Sequence, residues 1–139
     1  TISLIASIMT TETTPTSVSK KALWIGWVMT ILPALMLLFS ASMKLAHPPQ
    51  LDEGFAHLGI PVSHALGLGL LEFTCALIYL IPRTSIIGAI LLTGYLGGAI
   101  QTHLRIGEGF IPQVILGVLL WGGLFLRDVR LRALIPFRT

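Results

Sequence analysis

The sequence is poor in charge and holds almost no sulfur chemistry. Only 11% of its 139 residues are charged, where a soluble domain carries about 25%. So few ionic groups cannot cover a water-facing surface, which puts the chain in the membrane class. It has one cysteine, Cys75, so an intramolecular disulfide and a multi-cysteine metal centre are both excluded. In the middle of an apolar segment that thiol is inert as a nucleophile. Phosphate-cradling loops, a nucleophile elbow and the H-E-x-x-H zinc motif are all missing. His47, His57, His64 and His103 are expected on one side of the apolar runs, but no two share an i, i+3 or i, i+4 spacing, so no metal site is assigned. No histidine pair sits within the runs as bundle haem ligands would. The net charge of +3 comes from residues that flank apolar runs, with no basic stripe of the kind that binds nucleic acid. No catalytic residue is assigned.

What the chain has in abundance is apolar sequence: 54% hydrophobic residues and a mean hydropathy of +0.87. Four runs are predicted to be membrane-spanning helices, over 22–46, 62–81, 84–102 and 111–126. The fold class expected is all-α, an integral membrane four-helix bundle, antiparallel and up-down. Residues 1–21 are expected to be a flexible N-terminal tail and 127–139 a basic interfacial tail, with Leu131, Leu134, Ile135 and Phe137 dipping into the membrane. Within the N-terminal tail, Thr1 to Met9 is too short to span, and Met9 is the expected translation start. Thr10 to Ser19 is expected to be mobile. Between the first two spans, His47 to Pro61 is a loop with room for a short interfacial helix. Pro82-Arg83 is a tight turn that makes the second and third spans antiparallel neighbours.

Membrane anchors are expected at Lys20, Lys21, Trp24, Trp27, Arg83, Arg127, Arg130 and Arg132, cations and indoles at headgroup level. If both termini are cytoplasmic, Lys20, Lys21, Arg83, Arg127, Arg130, Arg132 and Arg138 lie inside, seven of the nine basic residues. Lys44 and Arg105 lie outside. That asymmetry fixes the expected orientation.

One acid, Glu72, stands inside the second run. A carboxylate in such a run is costly unless a partner or a cavity receives it. Its helical face is Ala65, Gly69, Cys75, Ala76 and Tyr79, mostly small residues that let helices approach. Glu72 therefore points inward, roughly 12 Å below the outer end of its helix at about 1.5 Å per residue. Ser40 and Tyr95 lie at the same depth on their helices, and Lys44 is one turn above Ser40. A buried polar cluster of Glu72, Lys44, Ser40, Tyr95, Gln101 and His103 is expected. It is either an acid that carries protons or binds a ligand in an outward-facing pocket, or a structural acid neutralised by its neighbours. Gly69, Gly94 and Gly98 are assigned to helix packing. On the fourth span, Gly117, Trp121 and Leu124 share a stripe suited to a partner.

The run Ile81-Pro82-Arg83-Thr84, Gly88-Ala89 and Thr93-Gly94-Tyr95-Leu96-Gly97-Gly98-Ala99 with His103 carries a resemblance. Together with Ser42-Met43-Lys44, Leu71-Glu72, Trp121-Gly122-Gly123-Leu124, Leu126-Arg127-Asp128 and Arg132 to Pro136, it resembles the DoxX-like family of small bacterial membrane proteins. The likeness spans about Trp24 to Pro136 and implies a four-helix membrane bundle in the bacterial cytoplasmic membrane. Its founding relatives are named for the membrane subunit of a thiosulfate:quinone oxidoreductase. Three functions are expected to compete: a non-catalytic accessory subunit of a larger membrane complex, the membrane component of a quinone-linked oxidoreductase, or a binder of a small lipophilic molecule. Membrane lipids and other integral membrane subunits are the expected partners. No cofactor is evident; a lipid or a quinone is the ligand class that would suit the pocket.

Overall fold

The computed structural model describes residues 1–9 and 18–135, and all the regular structure there is helical. The run Ile2–Met9, within the expected flexible tail, forms α1; it has no glycine or proline to interrupt a helix. The expected mobile stretch lies mostly, and Phe137 and Arg138 wholly, outside the described residues. Helix α2 (Lys20–Ala46) starts on Ser19, whose hydroxyl accepts from the Ala22 N–H. It stops at His47, which takes a left-handed φ of 53° and donates its N–H to the Met43 carbonyl. Pro48 and Pro49 follow and cannot continue it.

Pro49 opens α3 (Pro49–Leu58), which Gly59 ends at φ 70°. A short 3-10 turn, Val62–His64, leads into α4 (Ala65–Leu80). Two hydroxyls close the next turn. Thr84 Oγ1 donates to the Ile78 carbonyl at 2.8 Å and Ser85 Oγ to the Tyr79 carbonyl at 2.7 Å, taking up groups left over at the end of α4. Then come α5 (Ser85–Arg105), α6 (Ile111–Arg127) and the short α7 (Val129–Leu134), capped by the Asp128 carboxylate.

Helix α2 packs against α4 and α6, and α5 packs against the same two. The core between them holds Ala34, Leu37, Ala76, Tyr79, Ala89, Leu92, Leu120 and Leu124. Glycines set the closest approaches. A Cβ on Gly88 would lie 2.4 Å from Tyr79 Cα, so α5 rests directly on the backbone of α4. A Cβ on Gly69 would stand 3.0 Å from Lys44 Cβ, which brings α4 onto α2 beneath that lysine. Gly26 and Gly123 perform the same service between α2 and α6.

The outside is as apolar as the inside. Val28, Leu32, Leu35, Phe39, Leu70, Ile87, Ile90 and Val118 are all more than half exposed, far beyond the apolar patches of a soluble monomer. Three helical segments, Lys20–Ala46, Val62–Leu80 and Ser85–Arg105, are long and apolar enough to cross a membrane. Ile111–Arg127 is apolar but shorter.

Candidate functional site

The site begins with Glu72, whose side chain is 2% exposed. Helix α4 aims it at α2 and α5, and three donors converge on Oε2. Lys44 Nζ lies at 2.7 Å, Tyr95 Oη at 3.0 Å and Ser40 Oγ at 3.3 Å. Lys44 Nζ also donates to Ser40 Oγ at 2.7 Å. Each partner comes from one turn of α2 or from the middle of α5. A buried ion pair is tolerable only when further hydrogen bonds complete it, as Ser40 and Tyr95 do here.

These groups form one wall of a cavity of about 640 Å³, a volume that suits a drug-sized ligand. Met36, Leu68, Leu71, Leu91 and Leu116 make most of the lining apolar. Cys75, one turn below Glu72, also lines it. Phe55 and Leu58 of α3 contribute from the loop side. That segment is tied down: Arg105 Nη2 donates to the Leu58 carbonyl at 2.7 Å, and His57 pairs with Glu108.

His103 and Gln113 also line the cavity. His103 Nδ1 bonds the Ala99 carbonyl at 2.8 Å, and the Gln113 amide nitrogen faces the imidazole. Gln113 Oε1 is buried and accepts no hydrogen bond. The sequence offered one signal for Gln113, an amide just inside an apolar helix, and the expectations above passed it over.

Several expected residues sit elsewhere. Gln101 is exposed and outside the cluster, because it lies six residues past Tyr95 and so roughly 240° further round α5. Gly94 and Gly98 do not pack helices within the chain: nothing would lie within 4 Å of a Cβ on either, and both line the cavity. Gly69 does pack, as described. The stripe Gly117, Trp121 and Leu124 turns inward. Leu124 is fully buried and Trp121 Nε1 donates to Thr93 Oγ1 at 2.8 Å.

Arg127 is the largest departure. Expected at the headgroups, it folds back between the helices, with Nε donating to Thr30 Oγ1 at 3.0 Å and Nη2 to Ser85 Oγ at 3.1 Å. Its guanidinium lies 4.4 Å from the centre of the Trp27 ring, a favourable cation–π distance. Thr30 and Ser85 are buried hydroxyls whose protons go to the Gly26 and Tyr79 carbonyls, which leaves their oxygens free to accept from the cation. Arg132 likewise bonds the Phe125 and Leu126 carbonyls at the end of α6. Lys20, Lys21, Trp24, Arg83 and Arg130 remain exposed.

The model of the DoxX-like family matches residues 28–123. The chain belongs to the DoxX-like family. The matched stretch takes in Glu72, all three of its donors and Gln113, so the whole cavity floor of this DoxX-like protein lies within it. No curated protein and no solved structure matches the chain.

Proposed function

We propose that this DoxX-like protein is a four-span bundle of the bacterial cytoplasmic membrane that binds a small lipophilic molecule in the cavity beside Glu72. The observation that carries this is the cavity itself: about 640 Å³, mostly apolar, with polar groups confined to two places. A buried ion pair that only fixed packing would need no such space beside it. In this reading α6 is the fourth span despite its length, supported by its packing against α2 and α5. Both termini lie in the cytoplasm by the excess of basic residues at that end. The cavity then opens toward the outer face.

Purification in mild detergent followed by mass spectrometry of the extracted small molecules tests the binding role. A lipophilic compound is expected at near one per chain, and Gly94→Leu, which projects a side chain into open space at the cavity wall, is expected to displace it. A wild-type protein with no retained compound, or one retained equally by the variant, refutes the role. A reporter fused after Ile135 should read as cytoplasmic and one inserted near Asp52 as external.

A second reading, an accessory subunit of a larger membrane complex, draws support from Gly97. It is exposed on α5 with nothing within 4 Å of a Cβ, and such a surface lets another helix approach closely. Cross-linking from native membranes decides it: the reading fails if only monomer is recovered.

A further inference from the structure

A second concavity lies at the other end of the bundle, where α2 and α5 begin and α4 and α6 end. It encloses about 430 Å³. Arg83 enters it from the turn between α4 and α5, Arg127 from the end of α6 and Arg130 from α7, so three guanidiniums meet in one groove. None of them is ion-paired with a carboxylate among the described residues, where the ion pairs belong to Lys44, His47 and His57. Asp128 also lines the groove, but its Oδ1 accepts the backbone N–H groups of Arg130 and Leu131. The guanidinium hydrogen bonds of the described residues are those of Arg105, Arg127 and Arg132. Arg83 and Arg130, both exposed, therefore keep all their donors. Arg127 is half-buried, and its partners, two hydroxyls and the Trp27 ring, are neutral. Three cations around one concavity repel one another, and an anion seated between them relieves that repulsion.

We propose that this groove is a binding site for one anionic phospholipid. The phosphate sits among Arg83, Arg127 and Arg130, whose forked N–H groups match its oxygens. The other side of the groove is apolar, formed by Leu23, Trp27 and Val129. A bare inorganic anion has no use for that side, whereas an acyl chain leaving the headgroup runs along it, past an indole at the level where indoles favour the interface. Thr30 and Ser85 hold the Arg127 guanidinium in place, so the lipid meets a cation already ordered. In the orientation proposed above the groove faces the cytoplasmic leaflet, where basic pockets between helices take acidic headgroups. The site is separate from the cavity beside Glu72 and does not depend on what that cavity holds.

Native mass spectrometry of the detergent-solubilised chain tests this, with phosphatidylglycerol and phosphatidylcholine of the same acyl chains in equal amounts. Both carry a phosphate, but the choline cation of the second would stand against the guanidiniums. The wild type is expected to retain a single phosphatidylglycerol per chain, with a preference of about tenfold or more over phosphatidylcholine. The double variant Arg83→Ala/Arg130→Ala, at two exposed positions, is expected to lose that preference. Lys20→Ala/Lys21→Ala removes the same charge from the same end but outside the groove, and is expected to keep it. Equal retention of the two lipids by the wild type overturns the site, and needs no variant to fold. Equal loss in the two double variants also overturns it, since the basic end would then attract lipid diffusely. An excess of inorganic phosphate is expected to leave the lipid bound. If phosphate strips the lipid, the groove takes the bare anion and the lipid assignment falls.

Discussion

Lys44 Nζ lies 2.7 Å from Glu72 Oε2, and the carboxylate side of that pair is almost wholly buried. Removing either charge leaves the other stranded in a medium that cannot hydrate it, at a cost of about 3–5 kcal/mol. Lys44→Met and Glu72→Leu are each expected to lower the unfolding midpoint markedly in detergent. The double substitution is expected to recover most of the loss, because no lone charge remains. Additive effects in the double-mutant cycle would show that the pair is not coupled.

Gly88 and Gly97 lie on the same helix but differ in their surroundings. Alanine at 88 must push α5 off the Tyr79 backbone, and a strain of about 1–3 kcal/mol is expected. Alanine at 97 meets open space and should stay within about 0.5 kcal/mol. Thermal unfolding of the two variants side by side is the measurement. Equal stabilities would contradict the close contact at Gly88.

Arg127→Ala removes bonds to two buried hydroxyls, and a loss of about 1.5–3 kcal/mol is expected. Arg127→Lys restores the charge but not the forked geometry and should recover only part. Arg130→Ala, at an exposed position, should change little. An Arg130 effect as large as that of Arg127 would mean that charge at this end matters and the inward contacts do not.

What could be foreseen, and what could not, follows from the range of the signals. Ser40, Lys44 and Tyr95 were legible as neighbours of Glu72 because depth along a helix is a simple count at fixed rise, and only hydroxyls and a cation at that depth can serve a carboxylate. The inward turn of Arg127 was not. An arginine at a helix end carries the same local pattern whether it reaches for headgroups or folds back. The deciding residue, Thr30, is 97 positions away. The glycines failed for a related reason. Gly94 and Gly98 have the usual packing spacing, but spacing alone does not say whether the facing surface is a helix or a cavity. Helix α3 was foreseen only as room for a short helix, and the bond that ties it beside the cavity comes from Arg105, 47 positions away.

That tether yields a further expectation. Arg105→Ala frees the Leu58 carbonyl and should loosen α3 over the cavity. Hydrogen exchange at 49–58 is expected to rise while the amides of α2 and α4 stay protected. Unchanged exchange in that segment would show that Phe55, only 5% exposed, holds α3 without help.

The turn between α4 and α5 bears on how the chain is made. Thr84 and Ser85 satisfy carbonyls of Ile78, Tyr79 and Ile81 from within the turn itself. The pair of helices thus reaches its tip with fewer bare backbone groups left at the membrane boundary. Ribosome-bound chains truncated a little beyond Arg105 should show α4 and α5 entering the bilayer together, before α6 is synthesised. Stepwise entry, one helix at a time, would contradict this. Glu72 meets Tyr95 within that hairpin and Lys44 on a helix already made, so the membrane need never receive the acid alone.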